Sequence, residues 1–382
     1  MLSNDCADEC DIDKSNEIRT CYHPSILLAS ASVFAFAGAA AADGHTDLNV
    51  TGDAELGYND DIDNGMYWGA GLGVSASTAL DNGVTAGFSL DVDLVTNNDT
   101  GSLGSVDSSD FVVSLSSDTA SLDFGDTDPS ADRHWSGVTN MDNDGFAEFG
   151  DATEEGQLVG EYTFGNVTGS LSYAVVDTNG GTDDDDLTNM QFAAVADLGQ
   201  FGVTVAYQDD DNVGGEIFGL SGSTTLSGAD ITASFVNNDS GTGGIPETAF
   251  GVEGSMPFGP VTATLFYVSQ QDDAAGTEVD DNYGFAIAYS EGPVAVDAFY
   301  HDGNDEDFGL HASYDVGNGL VVYAGGSDAD GAYAAGEYNL GGGAALLVAY
   351  AEDEDTTAPN LNDEIGPQEY KHGTTVEVSF EF

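Results

Sequence analysis

The alternation of apolar and polar residues is the feature that most constrains the fold of this chain. From Leu48 onward, apolar side chains occupy every second position, most clearly over residues 48–58 and 84–94. Successive side chains of a β-strand point to opposite faces, so this period predicts strands with one apolar and one polar face. No stretch after residue 42 has a sustained helical period, and we therefore predict an all-β protein.

The predicted strands are joined by two alternating kinds of connection. Short turns rich in Gly, Asn, Asp and Pro alternate with longer acidic loops, as in an up-and-down antiparallel meander. Transmembrane β-barrels have this asymmetry, with tight turns at one edge and long loops at the other. Nine turns and two terminal strands give 20 strands, and we expect an even number from 16 to 20. The turns lie at residues 81–83, 117–118, 165–166, 198–199, 227–228, 259–260, 291–293, 317–319 and 341–343.

The placement of aromatic and acidic residues distinguishes a membrane barrel from a soluble β-sandwich, which also has one apolar face. Aromatic residues gather at both strand ends, such as Tyr58 before a long loop and Phe164 beside a tight turn, as interfacial girdles require. Acidic residues fall within the strands on the face opposite the apolar one, and that face must contact water. We expect a water-filled lumen lined by His311 and by Asp53, Glu55, Asp91, Asp93, Asp123, Glu161, Asp230, Glu253, Asp297, Glu337, Glu377 and Glu381.

The net charge excludes one class of partner. The chain has 69 Asp and Glu against 4 Lys and Arg, a formal charge of −65. Nucleic acids bind to basic surfaces that release counterions, and four cations cannot build one. With 41% hydrophobic residues in a regular pattern, the chain is also unlike acidic disordered sequences. We therefore expect a folded protein with no nucleic-acid partner.

The N-terminal segment has the features of an export signal. Residues 26–38 form an apolar run, and four alanines at 39–42 provide a small-residue cleavage site. We predict that residues 1–42 are a leader and signal peptide that is removed, although residues 1–23 are unusually acidic for one. Residues 43–382 would then form a single barrel domain. Six acids and two bases precede residue 43, so 63 acids and two bases remain, while Cys6, Cys10 and Cys21 are lost.

One long connection differs from the others. Residues 126–156 separate two predicted strands, and a structureless loop of this length is usually functional. Within it, five oxygen-bearing residues have the spacing of positions 1, 3, 5, 9 and 12 of an EF-hand loop. They suggest a structural Ca²⁺ site, although position 12 is Asp rather than Glu and the flanks are not helical; a solvated acidic loop is the alternative. The residues are Asn140, Asp142, Asp144, Glu148 and Asp151.

Several segments in order resemble the general diffusion porins of alphaproteobacteria. They are the opening LNVTGDAELGY, the SLDFGDTDPS entry to the long third loop, the SYDVGNG turn and the terminal VEVSFEF. The resemblance implies a homotrimer in the outer membrane, in contact with lipid and lipopolysaccharide, and implies that Phe382 marks the chain for the barrel-assembly machinery. It also implies that the third loop folds into the lumen as a constriction. Its charged residues would be Asp126, Asp128, Asp132, Arg133, Asp142, Asp144, Glu148, Asp151 and Glu154.

The sequence departs from this family in two respects. Such porins usually have 16 strands, whereas residues 331–351 resemble 308–327 and would either widen the barrel or form an insertion. The family also opposes its acidic loop with wall arginines, but the only bases after residue 42 are Arg133 and Lys371. We expect Arg133 to pair with neighbouring loop carboxylates. Carboxylates in a narrow lumen enrich cations, so we predict passive diffusion of small hydrophilic solutes with a preference for cations.

Other functions explain the sequence less well. Five histidines follow the leader, and none lies beside a nucleophile-like motif, so no enzyme and no required cofactor are expected. A secreted acidic Ca²⁺-binding β-protein would lack the two aromatic girdles and would need repeats that are absent. A substrate-selective channel remains an alternative, which aromatic residues aligned along the lumen would favour. Trp68 and most tyrosines instead fall at strand ends.

Overall fold

The computed structural model describes one unit of the chain. The described residues are 46–62, 65–95, 105–107, 111–141, 146, 156–174, 189–210, 215–239, 247–272, 276–277, 279–303, 306–329, 331–352 and 365–382. All of them belong to the compact unit that begins at His45. The leader predicted at residues 1–42 lies outside the described residues.

The described residues form β-strands and one short helix. The elements are β1 (Thr46–Asn59), β2 (Met66–Ala79), β3 (Thr85–Val95), β4 (Ser105–Asp107), β5 (Phe111–Ser116), β6 (Ala120–Gly125), α1 (Ser130–His134), β7 (Gln157–Phe164), β8 (Val167–Ala174), β9 (Asn189–Asp197), β10 (Phe201–Asp210), β11 (Gly215–Leu226), β12 (Ala229–Asn238), β13 (Thr248–Phe258), β14 (Val261–Gln270), β15 (Asn282–Glu291), β16 (Val294–Asp302), β17 (Asp307–Gly317), β18 (Leu320–Ser327), β19 (Gly331–Gly341), β20 (Ala344–Glu352) and β21 (Gly373–Glu381).

The strands form one closed antiparallel barrel. Apart from β4, each strand pairs with at least two others along the wall, and β1 pairs with β21 from Asp53↔Glu381 to Asn59↔Thr375, which closes the barrel. Strands β4 and β5 both pair with β3 and occupy one position in the wall. The 21 strands therefore give 20 wall positions. The predicted up-and-down barrel with an even strand number is confirmed, and β19 and β20, predicted either as a widening or as an insertion, are wall strands.

The tight turns explain the antiparallel order. A short turn joins two strands at each of the nine predicted places, between β2 and β3, β5 and β6, and so on to β19 and β20. Hairpin turns need residues with positive φ, which glycine adopts without a steric penalty. In the β17–β18 turn, Asn318 has φ of 56° and Gly319 has φ of 87°. The turn residues therefore fix where each strand reverses.

The two faces of the wall differ as the sequence pattern predicts. On β3, Phe88 and Leu90 lie on one face, and Ser89 and Asp91 lie on the other. Large apolar residues are exposed along the first face, and its aromatic residues reach both ends of the strands. Exposed apolar side chains around a closed barrel form a surface suited to lipid. We call this the outer face; the opposite face is the inner face.

The third long connection contains the one helix of the described residues. Helix α1 has five residues and follows Pro129. It is little more than one turn, which is why the sequence carries no helical period for it. No helix in the described part of the chain is long and apolar enough to cross a membrane.

Candidate functional site

The third loop packs against the inner face of the barrel. Residues 126–141, which we call the loop segment, and Phe146 lie beside inner-face residues of β10 to β14. Trp135 and Phe146 meet edge to face, with ring centroids 5.6 Å apart. Such a cluster removes apolar surface from water and holds the loop to the wall. Its members are Ala131, Trp135, Val138, Met141 and Phe146 from the loop, and Ala206, Ile217, Val236, Ala249, Phe266 and Val268 from the strands.

Two glycines of the wall make room for the loop side chains. A Cβ atom on Gly251 of β13 would lie 2.0 Å from Cγ2 of Val138. A Cβ atom on Gly219 of β11 would lie 2.9 Å from the Phe146 ring and 3.0 Å from the Trp135 ring. Real Cβ atoms do not approach so closely. The loop side chains therefore occupy notches that only glycine leaves open in the wall.

Hydrogen bonds anchor the start of α1 to β8 and β9. The Ser130 backbone N–H donates to Ser172 Oγ at 2.8 Å, and the Ser130 hydroxyl bonds Ser170 Oγ at 2.7 Å. The Ala131 N–H donates to Gln191 Oε1 at 2.9 Å. All these groups are buried, where an unmade hydrogen bond is costly. The anchors therefore fix the entry of the loop into the lumen.

Arg133 ties the loop segment to β6. Its Nη1 donates to Asp123 Oδ2 at 3.1 Å, its Nε donates to the Asp128 carbonyl at 2.7 Å, and its Nη2 donates to Thr127 Oγ1. Next to it, His134 Nε2 lies 2.9 Å from Glu161 Oε2 of β7. The carboxylate bonded to Arg133 thus lies in the wall, whereas we predicted a pairing with neighbouring carboxylates of the loop. The sequence pattern could not distinguish Asp123 from the loop carboxylates as the partner, because Asp123 lies only ten residues before Arg133.

The far end of the loop segment reaches β13 and β15. Thr139 donates to Glu253 Oε2 from its hydroxyl at 2.6 Å and from its N–H at 3.2 Å. Asn282 Nδ2 donates to the carbonyl of Asn140 at 2.8 Å. Asn140 has φ of 56°, a conformation that Asn tolerates better than most residues. The segment thus follows the inner wall from β6 to β15, about half of the circumference.

Some predicted constriction residues are placed by the structure and others are not. Asp126, Asp128, Asp132 and Arg133 lie in the loop segment, beside the wall. Asn140 contacts the wall through its carbonyl, and among the described residues no group of three or more His, Cys, Asp or Glu could hold a metal ion. The Ca²⁺ site stays a prediction. The remaining predicted residues, Asp142, Asp144, Glu148, Asp151 and Glu154, lie outside the described part of the chain.

The strand register places the twelve predicted lining acids on the inner face. Asp53 of β1 pairs with Gly71 of β2, whose absent side chain leaves room for it: a Cβ there would lie 2.3 Å from Asp53 Oδ1. A Cβ on Gly73 would lie 2.8 Å from Asp91 Oδ1. The glycine run of β2 therefore makes space for carboxylates. The acids are Asp53, Glu55, Asp91, Asp93, Asp123, Glu161, Asp230, Glu253, Asp297, Glu337, Glu377 and Glu381.

His311 also lies on the inner face, within a row of rings that the sequence analysis missed. Its ring is stacked between Phe299 at 5.9 Å and Tyr333 at 5.8 Å, and His311 Nδ1 is 3.0 Å from the Tyr333 hydroxyl. His301 stacks on Phe299, and Tyr370 tilts against Tyr333. The row crosses neighbouring strands, so only the register reveals it. The row lies on the inner face, where Tyr333 and Tyr370 are 5% and 4% exposed.

A second segment, residues 365–372, also folds against the inner face, and no sequence pattern indicated it. Ile365 and Tyr370 form a two-way backbone bridge, with both N–H···O distances 3.0 Å. Their side chains are 2% and 4% exposed. They pack on inner-face residues of β19 and β20, and burial raises the pKa of Tyr370. We call residues 365–372 the second segment; the wall residues beneath it are Tyr333, Ala335, Ala349 and Ala351.

The second segment is clamped to β1 and to the turn after it. His372 Nδ1 lies 2.5 Å from Asp61 Oδ2, and its carbonyl accepts from Asn59 Nδ2 at 2.7 Å. The Thr374 N–H donates to Asp60 Oδ1 at 2.5 Å, and this bond lowers the pKa of Asp60. Because the folded-state pKa is lowered, Asp60 keeps the bond at neutral pH and loses it only as the pH falls through that lower value.

Phe382 ends the wall beside β1. Its N–H donates to the Gly52 carbonyl at 2.8 Å, and its own carbonyl accepts the Gly52 N–H at the same distance. A Cβ on Gly52 would lie 2.6 Å from the Phe382 ring, and this ring is 65% exposed. The terminal ring therefore rests on the outer face of β1. Its predicted role as an assembly mark stays a prediction.

These features define a class of protein: a closed barrel with an apolar outer face, an acidic inner face and a loop folded inward is a transmembrane channel. A sequence model of the Gram-negative porin family matches residues 29–358. The chain belongs to this family, and the predicted resemblance is confirmed. It is an outer-membrane channel for passive diffusion, so the secreted Ca²⁺-binding alternative is wrong.

Solved structures with a similar fold include mutants of one porin. A triple mutant of the Rhodopseudomonas blastica porin is 17% identical, with a TM-score of 0.41, covering 88% of this chain and 100% of that chain. A second mutant of the same porin is 16% identical, with the same TM-score and coverage. No curated protein sequence matches this chain.

Proposed function

We propose that this porin is a cation-preferring channel for small hydrophilic solutes and ions, with no catalytic activity. The observation that carries the proposal is the charge of the inner face. Twelve carboxylates alternate with the outward-facing apolar residues, while the two bases of the barrel domain are Arg133 and Lys371. Arg133 already bonds Asp123. The electrostatic potential along the lumen is therefore strongly negative.

The mechanism is electrostatic enrichment rather than binding. A wet lumen with low-dielectric walls focuses the field of its carboxylates, so cations enter more often and anions less often. Salt shortens the Debye length from about 10 Å at 0.1 M to about 3 Å at 1 M. The preference for cations should therefore weaken as the salt concentration rises.

The proposal is tested by the reversal potential of the purified protein in a planar bilayer under a salt gradient. We expect a potential with the sign of cation selectivity in dilute KCl, and a smaller one at about 1 M, where screening is strong. A potential of the anion-selective sign would overturn the proposal. So would a cation preference that does not change with salt, because the lumen charges would then not be its cause.

A substrate-selective channel is a second candidate, favoured by the row of rings at Phe299, His311 and Tyr333. Liposome swelling separates the two functions. A diffusion channel passes neutral solutes at rates that fall smoothly with size, whereas a selective channel passes one class, such as sugars, faster than its size allows. We favour diffusion, because these rings already pack on one another and Tyr370 packs on Tyr333, which is 5% exposed.

The assembly partners follow from the family resemblance. We propose a homotrimer in contact with outer-membrane lipid and lipopolysaccharide, folded by the barrel-assembly machinery through Phe382. A structural Ca²⁺ ion bound by residues 140–151 is part of the same proposal. No other cofactor is required for diffusion through a wet lumen.

A further inference from the structure

The second segment lies opposite the loop segment across the barrel. The loop segment contacts strands from β6 to β15, centred near β10. The second segment contacts β19 and β20 through Tyr370 and contacts β1 through His372, so it is centred near β20. In a closed ring of 20 wall positions, β10 and β20 are ten positions apart, half of the circumference. The lumen is therefore narrowed from two opposite sides.

The second segment has a buried base on the inner face and an exposed tip. Its base, Ile365 and Tyr370, is buried, while its tip, Pro367, Gln368 and Glu369, is exposed. Gly366 has φ of 77°, and a Cβ there would lie 2.3 Å from the Tyr333 ring. The closely fitted base holds the segment to the inner face, and the exposed tip contacts water.

Lys371 lies at the edge of this segment among groups of the wall. Its Nζ is 4.8 Å from the centroid of the Tyr67 ring. The Tyr67 hydroxyl donates to Glu377 Oε2 at 2.5 Å, and Gly57 of β1 pairs with both Tyr67 and Glu377. Glu55 lies on the same inner face two residues from Gly57. Lys371 thus brings positive charge into an acidic part of the lumen.

We propose that the second segment is a second constriction, and that Lys371 is a selectivity-setting residue that locally weakens the preference for cations. The inference rests on the proposed diffusion function and adds the site at which the channel selects solutes by size and charge. Solutes would pass between the tip near Gln368 and the loop segment. Arg133 lies in the loop segment and is bonded to Asp123. Lys371 lies in the second segment, on the opposite side of the lumen, where no inward fold was predicted.

Cysteine labelling tests the position of the tip. In a chain with Cys6, Cys10 and Cys21 replaced by Ser, Gln368→Cys is inserted into a bilayer and treated with a bulky methanethiosulfonate reagent. We expect a stepwise loss of single-channel conductance. Asp118→Cys, in the tight turn between β5 and β6, is the control and should react without that loss. Complete labelling at position 368 with unchanged conductance would overturn the second constriction.

Charge substitution tests Lys371. Lys371→Gln should raise the cation-to-anion permeability ratio about sevenfold in dilute salt, because one charge at about 7 Å in water changes the occupancy of cations and of anions by about threefold each, in opposite directions. Ser290→Asp makes the same change in net charge at the tight-turn edge and should shift the ratio less. Equal shifts would overturn the role of Lys371. A wild-type protein that forms no conducting channel would instead overturn the proposed function, so the two failures are distinguishable.

Discussion

Single glycines decide where the loop of this channel can rest. Gly219 and Gly251 leave notches in the inner wall that Trp135, Phe146 and Val138 fill. Gly71 and Gly73 serve carboxylates in the same way. Four positions without a side chain therefore control the shape of the lumen, because any Cβ there would push a loop or a charge out of place.

Gly251→Ala should displace the loop segment, because the new Cβ would overlap Val138. We expect a loss of stability of about 1–3 kcal/mol, as for other overpacked sites, and a changed single-channel conductance. Gly254→Ala is the matched control on the same strand, since no atom lies within 4 Å of its added Cβ. Equal unfolding temperatures in detergent and equal conductances for the two variants would show that Val138 does not need the notch at Gly251.

At the scale of the element, one guanidinium group joins the loop segment to β6. Arg133 reaches Asp123, Thr127 and the Asp128 carbonyl at once. A lysine keeps the charge but lacks the planar fork that makes several bonds together. Arg133→Lys should therefore leave the reversal potential unchanged and increase the open-channel current noise, as the loop moves more. Noise equal to that of the wild type would show that the tether does not restrain the loop.

Elements with a local signal could be predicted from the sequence. The nine turns carry Gly, Asn, Asp or Pro where the chain reverses, and this predicted the number of strands. The strands alternate apolar and polar residues, and this predicted which side chains lie on the outer face and which on the inner face. The inward fold of Ile365 and Tyr370 has no such signal, because it depends on packing against strands β19 and β20. The stacking of Phe299 on His311 likewise depends on the pairing of β16 with β17, which residue spacing alone does not reveal.

The whole molecule combines a closed hydrogen-bonded wall with a large uncompensated charge. After residue 42 the chain has no cysteine, so no disulfide can hold the barrel, and the hydrogen-bonded pairing of β1 with β21 closes the wall instead. Lipid around the outer face favours the closed hydrogen-bonded wall, because a broken backbone hydrogen bond there could not be replaced by a bond to water. The carboxylates are tolerated because the inner face is wet. Both properties require that the apolar face points to lipid and the acidic face to the lumen.

Cysteine scanning along β3 in lipid vesicles tests that orientation most directly. Six variants replace Phe88, Ser89, Leu90, Asp91, Val92 and Asp93 one at a time, in the chain without native cysteines, and each is exposed to a charged, water-soluble thiol reagent. We expect rapid reaction at positions 89, 91 and 93 and protection at 88, 90 and 92. The reverse pattern, with the apolar positions reacting and the acidic positions protected, would contradict a lipid-facing exterior and a water-filled lumen.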